Sequence, residues 1–398
     1  MIKKYNWPLS SINHTYLDRI KLASFILNPR NRWSIDKKTK QLEEFLAEKT
    51  GYKYCVATSS GSTANTLVGM WHKYKNNADF YKKNKVVVCA IGWSTTVSPL
   101  IELGFEPIFL DSNVSTPVLD PSLLDFYLEK HKDEVAFVFY TTLLGIHYNK
   151  DYWEGECHVE EICEKYGVEL YIDSCEDTLN IEAFPLSTYT QTTSFYLAHE
   201  VQGLAECGAI FTYDEEEYHY YLSARNHGLT RHLPEEERKK VANPNVHEMF
   251  DFNLVGNNFR PCEISSYAVW LDAQRWLDYK QFRRKVATIF YSGDFPDYLM
   301  RFDSYLKFDI PFCLPIVVDP NCSNKEQSFE YVKRVCEKFN IETRSVVGGV
   351  LPWHTAFKKY NRSSYENAGH FHKYGLYVGI HKNMSMKLLK KFKEALFY

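Results

Sequence analysis

Val159-Glu160-Glu161-Ile162-Cys163-Glu164-Lys165-Tyr166-Gly167-Val168-Glu169-Leu170-Tyr171-Ile172-Asp173 joins two different patterns in fifteen residues. Its first half turns Ile162 and Cys163 to one side, as an amphipathic helix does. Its second half is a short apolar run that ends on a carboxylate. A helix followed at once by an apolar strand is one step of an alternating α/β chain, and the same step recurs on both sides of it. Upstream, residues 41–49 place Leu42, Phe45 and Leu46 on one helical face, with Gly51 to end the helix. Apolar runs at 54–57, 86–90, 107–110, 135–140 and 169–172 are separated by amphipathic or polar stretches. Continuously apolar strands alternating with helices predict a parallel sheet covered on both faces, the doubly wound α/β class.

Downstream of Asn258 the pattern changes. Residues 264–277 and 283–292 read as long helices. The tail then mixes strands at 313–318, 343–347 and 376–380 with helices at 326–339 and 386–396, an α+β pattern. The expected organisation is an N-terminal segment (1–38), a large domain (39–280) and a smaller C-terminal domain (281–398). Residues 232–248, rich in Glu, Arg and Lys, read as a charged, solvated loop.

With 398 residues, 45% hydrophobic and 24% charged, the composition is that of a globular protein with ample core. A formal net charge of −3 gives no basic field for nucleic acid or an anionic membrane surface. No run approaches a bilayer span, and the lysines near the start have no apolar run behind them, so neither membrane insertion nor a signal peptide is expected. Ten cysteines with no CxxC pair read as reduced thiols of a cytoplasmic protein. Cys157, His158 and Cys163 match no zinc spacing, and no metal is expected.

Three segments carry candidate chemistry. Ser59-Ser60-Gly61-Ser62-Thr63-Ala64-Asn65 follows a strand and opens a helix, where small residues and free N–H groups can receive a phosphate. An ordinary capped turn has the same outline. Trp93, just past the strand at 86–90, stands where such sheets bind ligands and could stack on a flat heteroaromatic ring; read alone, it is equally a core residue. Asp173 could pair with a protonated pyridine nitrogen, or could simply cap a turn, with Glu176 close by.

A fourth segment, Thr193-Ser194-Phe195-Tyr196-Leu197-Ala198-His199-Glu200 followed by Glu206-Cys207-Gly208-Ala209, resembles the cofactor-lysine segment of the DegT/DnrJ/EryC1/StrS sugar aminotransferases. The four segments occur in that family's order, and Arg225-Asn226-His227-Gly228, Asn257-Asn258-Phe259-Arg260-Pro261-Cys262-Glu263 and the tail Gly375-Leu376-Tyr377-Val378-Gly379-Ile380-His381 extend the likeness over most of the chain. The resemblance implies the type I fold of pyridoxal-phosphate enzymes. It implies phosphate contacts from Gly61, Ser62 and Ser194, ring stacking by Trp93 and a ring-nitrogen contact from Asp173. It also implies a homodimer in which Asn258 reaches the neighbouring subunit's phosphate. Arg225, Arg260 and Arg344 could each pair with a substrate diphosphate, or be surface or interface arginines.

The family's lysine is replaced by His199, and no lysine occurs between Tyr166 and Arg238. An imidazole can move protons but cannot hold an aldehyde covalently. Within the family a histidine here resembles the branch of 3-dehydratases acting on nucleotide-linked 4-keto-6-deoxyhexoses, with pyridoxal or pyridoxamine phosphate as cofactor and glutamate as amino donor. After His227-Gly228 the next cysteines are Cys262 and Cys313, so the C-x-C-x7-C grouping of the iron–sulfur members is missing and the likeness is to the cluster-free type. An imidazole pKa near neutrality would suit both removing a proton and protonating a leaving hydroxyl. Two alternatives stay open: an aminotransferase with His199 as proton shuttle, and an inactive relative that only binds a sugar nucleotide. The chain departs from the family in Cys207 for the first glycine of Glu-Gly-Gly, in one extra residue between His199 and Glu206, and in Glu200 where the dehydratases commonly have a second histidine.

Overall fold

The computed structural model describes residues 5–76, 82–146, 158–183, 189–307 and 309–397. Seven strands form the main sheet: β1 (Tyr54–Thr58), β2 (Lys85–Cys89), β3 (Glu106–Leu110), β4 (Val135–Thr141), β5 (Glu169–Asp173), β6 (Thr190–Ser194) and β7 (Gly208–Thr212), in the order β1-β7-β6-β5-β4-β2-β3. The pairs from β3 through β6 are parallel, and β7 runs antiparallel to both β1 and β6. Alternate residues feed two cores. Val56 and Ile210 belong to one cluster, while Cys55, Ala57, Ala209 and Phe211 belong to the other, so both faces of the sheet are covered.

The five apolar runs become β1 to β5, and the helix of the opening stretch forms at Val159–Tyr166 with Ile162 and Cys163 buried. Strands β6 and β7 were not expected. The sequence of β6, Thr-Gln-Thr-Thr-Ser, carries no apolar run, yet all five residues are buried. Side-chain partners make that burial possible. Thr190 donates to Glu217, Gln191 Nε2 donates to Tyr52 OH at 2.7 Å, and Thr192 donates to Asn65 Oδ1 at 2.6 Å.

A second, antiparallel sheet contains β8 (Cys313–Val317), β9 (Thr343–Ser345) and β10 (Gly375–Gly379) in the order β8-β10-β9. The two long helices differ in extent from the sequence expectation. They are Glu263–Ala273 and Trp276–Tyr291, broken at Gln274 and Arg275. The second begins early because Trp276 and Tyr279 are buried in the core beside β1 and β7, while Val286, Phe290 and Tyr291 pack into the other core. Residue 280 lies inside this helix. The charged stretch at 232–248 is not all loop. It contains a solvated helix, Glu235–Val241, with three glutamates in its first turn and Arg238, Lys239 and Lys240 in its last, signs that suit the helix dipole.

Ahead of β1, Trp7 is buried and its indole N–H donates to Gly379 O at 2.8 Å, tying the first described residues to the second sheet. Among the described residues no helix is long and apolar enough to cross a membrane.

Candidate active site

The carboxyl ends of β1, β2, β5 and β6 surround a cleft of about 430 Å³. At one end is the start of the helix Gly61–Lys75. Ser60 caps it: its hydroxyl accepts from Thr63 N at 3.2 Å, and Thr63 Oγ1 accepts from Ser60 N at 3.0 Å. The N–H groups of the next residues have no partner within the helix and point out of its positive end. Glycine is required at 61, because a Cβ there would lie 2.8 Å from both Cys175 Sγ and Ser194 Cβ. It is required at 208 as well, where a Cβ would lie 2.4 Å from the carbonyl carbon of Ser60. Cys207, by contrast, buries its side chain in the core beneath, so a side chain is tolerated at that position. Gly61, Ser62 and Ser194 therefore meet in one small cradle.

Asp173, the last residue of β5, is buried. Asn65 Nδ2 (2.9 Å) and Thr96 Oγ1 (2.7 Å) donate to its Oδ2, and Cys175 N donates to Oδ1 at 3.2 Å. Among the described residues it has no ion-pair partner. A buried carboxylate so oriented fits a cationic ring N–H facing it. Trp93, past β2, lines the same cleft with about half its surface exposed, 54%. Glu176 lines it too. It accepts from Leu144 N at 2.9 Å, and burial pushes its carboxyl up to about 7, against the pull of that hydrogen bond and with Asp173 adding to the rise.

His199 sits in the irregular loop between β6 and β7. Its Nδ1 is 2.5 Å from the carbonyl oxygen of Cys175. A carbonyl only accepts, so Nδ1 carries the hydrogen and Nε2 of the neutral ring keeps its lone pair. Phe312 packs edge-on at 5.3 Å and Tyr196 at 6.0 Å. Burial lowers the imidazole pKa to about 4; the Cys175 contact and Asp173 oppose the fall, and Arg283 adds to it. The ring is thus a neutral base across the physiological range, not the half-protonated group expected from an ordinary histidine.

Of the three arginines, only Arg344, on β9, lines the cleft. Arg225 is a correction: it is buried beneath β1, paired with Glu43 and donating to Ala57 O, which leaves it no access to a ligand. Arg260 does not line this chain's own cleft; its Nε donates to Asn258 Oδ1 at 3.0 Å on a stretch outside it. Asn258 is exposed and absent from this chain's cleft lining. Sequence reasoning missed Asn65, Thr96, Phe312 and Tyr377. Asn65 stands one helical turn beyond Gly61, a spacing that signalled a shared face. Cys157 lies outside the described residues, and among the described ones no His/Cys/Asp/Glu group could hold a metal ion.

The model of the DegT/DnrJ/EryC1/StrS aminotransferase family matches residues 21–396. The chain belongs to that family. Its curated relatives include the GDP-4-keto-6-deoxy-D-mannose 3-dehydratases of Yersinia pseudotuberculosis, 30% identical over 95% of this chain and 94% of that protein, and of Escherichia coli O55:H7, 29% identical over 95% and 96%. Among solved structures, the E. coli GDP-4-keto-6-deoxy-D-mannose-3-dehydratase with bound hydrated PLP superposes with a TM-score of 0.83 at 27% identity, covering 99% of this chain and all of that one. A GDP-4-keto-6-deoxymannose-3-dehydratase with a trapped PLP-glutamate geminal diamine gives a TM-score of 0.81 at 25% identity over 98% of this chain and all of the other. The main sheet with its flanking helices is the type I fold of this DegT/DnrJ/EryC1/StrS family.

Proposed function

We propose that the protein is a pyridoxal/pyridoxamine-phosphate-dependent dehydratase that removes the C3 hydroxyl of a nucleotide-linked 4-keto-6-deoxyhexose in deoxysugar biosynthesis. One observation carries this reading: a neutral imidazole, its Nδ1 committed to Cys175 O, faces a cleft in which no described lining residue is a lysine. Lys382 lines only an adjoining lobe, where it donates to Asn13 O. The full-length 3-dehydratase relatives, and their structures with PLP and with a PLP-glutamate adduct, support the same reading.

The residues present fit the cofactor. The cradle of Gly61, Ser62 and Ser194 would hold its phosphate, Trp93 would cover its ring, and Asp173 would keep a proton on the ring nitrogen. Glu176, with its carboxyl near half-ionised at neutral pH, can donate or accept beside it. When bound, the cofactor supplies an amine for the C4 ketone and a cationic ring that draws electrons. His199 Nε2 would serve as the base that moves a proton beside that amine. The resulting imidazolium, an unusually strong acid for a histidine, then delivers the proton to the departing C3 hydroxyl, which leaves as water. Glutamate would be the amino donor, and the products would be the 3-deoxy-4-keto sugar and ammonia. An active aminotransferase would instead release an amino sugar.

The active unit is read as a homodimer. Asn258 and Arg260 lie outside the cleft of their own subunit, and the neighbouring Phe250, Phe252 and Val255 are 62%, 58% and 88% exposed, an apolar surface of the kind a partner covers. A diffusible sugar nucleotide as substrate suits a cytoplasmic location.

The test is to incubate the protein with pyridoxamine phosphate, glutamate and a panel of 4-keto nucleotide sugars. Ammonia and a product lighter by one oxygen atom are expected. Borohydride treatment should leave the chain mass unchanged, whereas His199→Lys should acquire the mass of a reduced cofactor. An amino-sugar product, or cofactor fixed to the wild-type chain, refutes the reading.

A further inference from the structure

We propose that Gln202 and Asn13, seated together on Asp272, are positioning residues that hold the His199 backbone and so aim its imidazole. This rests on His199 being the base proposed above. The loop from residue 195 to residue 207 contains no helix or strand. No covalent bond to a cofactor can anchor it through His199. Its own backbone supplies few restraints: His199 N donates to Tyr196 O, Gly203 N to Phe195 O and Phe195 N to Cys207 O, each at 2.8 Å.

The Glu200 side chain accepts from Leu179 N at 3.1 Å, Tyr196 N donates to Ser194 Oγ at 3.3 Å, and Phe195 and Val201 pack in the core, while two amide side chains hold the backbone carbonyls at 199 and 200. Gln202 Nε2 donates to His199 O at 3.4 Å and to Ser11 O at 2.9 Å, while its Oε1 accepts from Asn13 N at 2.8 Å. Asn13 Nδ2 donates to Glu200 O at 3.0 Å and to Asp272 Oδ2 at 3.2 Å. The same Oδ2 accepts from Gln202 N at 2.9 Å, and Asp272 Oδ1 accepts from Tyr279 OH and Arg275 Nη2 at 2.6 and 2.7 Å. Gln202, Asn13 and Asp272 are 2%, 6% and 0% exposed, so water cannot replace a lost partner.

The carbonyls held are those of His199 and Glu200, the two residues whose placement decides whether Nδ1 reaches Cys175 O. The clamp also joins three elements. Asn13 belongs to the N-terminal stretch, itself anchored by Trp7 to Gly379 O and by Leu9 N to Glu342 Oε2 at 3.0 Å; Asp272 belongs to the helix Glu263–Ala273; and Gln202 belongs to the catalytic loop. The N-terminal stretch is therefore part of the active-site apparatus although its described residues present no side chain to the cofactor cleft.

Gln202→Met keeps length and removes the amide, and Asn13→Ala removes the same support from another element. In each variant kcat should fall about 10- to 100-fold, with KM and cofactor affinity changed less than about twofold. The His199 titration, followed by NMR on 13C-histidine-labelled protein and assigned with His199→Asn, should move from about 4 toward the ordinary imidazole value as the ring loosens from Cys175 O and hydrates. The charged and titratable groups around the ring are Asp173, Cys175, Glu176, Tyr196, Glu200, Glu206, Arg283, Cys313, Arg344 and Tyr377, with Tyr279, His381 and Lys382 in the adjoining lobe, and neither substitution replaces any of them. An unmoved titration in both variants overturns the proposal, whether kcat is retained or falls in step with cofactor affinity. If Gln202→Met does not fold, Asn13→Ala decides by the same readouts. A wild-type protein inactive on every 4-keto sugar would refute the dehydratase reading, while the titration would still score the clamp.

Discussion

The Nδ1 hydrogen of His199 is committed to Cys175 O, and one choice of tautomer leaves the ring a single basic atom. Its depressed pKa fixes the pH dependence. Protonation of Nε2 as pH falls destroys the base, so activity is retained above the folded pKa and lost below it. With that value at about 4, kcat/KM should hold through pH 6 and decline only as pH approaches 4. A pH–rate profile checks this, and an acid limb centred near 6.5 would mean a solvated ring. His199→Asn, which keeps a polar side chain but no base, should lower kcat by about 10²- to 10⁴-fold with cofactor absorbance intact. At this scale the sequence was informative wherever a residue reaches the cleft from a recognisable place, as do Gly61 at a helix start and Asp173 past an apolar strand. It could not place Arg225, whose partner Glu43 is 182 residues distant and whose role depends on burial.

Among the elements, β7 does the least obvious work. It brings Gly208 against the Ser60 carbonyl and so sets the floor of the cradle proposed to hold the cofactor phosphate. Ala at 208 would place a methyl 2.4 Å from backbone that has nowhere to move without parting β1 from β7. Gly208→Ala should therefore destabilise the fold by about 1–3 kcal/mol and weaken cofactor binding, as measured by thermal unfolding and absorbance titration. Cys207→Ala, its neighbour, should cost only about 1 kcal/mol and leave binding unchanged, because its thiol faces the core. The contrast explains why the chain departs from Gly-Gly at the first position only. In the main sheet the strands legible in advance were those whose apolar runs announce burial on both faces. β6 escaped because its burial is satisfied by hydroxyl and amide partners on the helix Gly61–Lys75, on β7 and on Tyr52, none of them near it in sequence. The break at Gln274 and Arg275 escaped for a related reason: it answers to which core each half of the helix pair must reach.

For the whole molecule, the parts of the chain that face its cleft are separated from Asn258 and Arg260, which stand on an exposed stretch beside Phe250, Phe252 and Val255. If two copies share sites, each cleft needs His199 from one chain and Asn258 from the other. This arrangement makes a prediction that no single-subunit site can imitate. His199→Asn and Asn258→Ala should each be nearly inactive alone. Mixed under exchange conditions in equal amounts, half of the dimers become heterodimers, and each of these regains one intact site beside one doubly damaged site. Activity should then recover to about a quarter of the wild-type value, with sedimentation showing dimers throughout. A mixture no more active than its components would place every essential residue within one chain, and the exposed apolar stretch would need another partner.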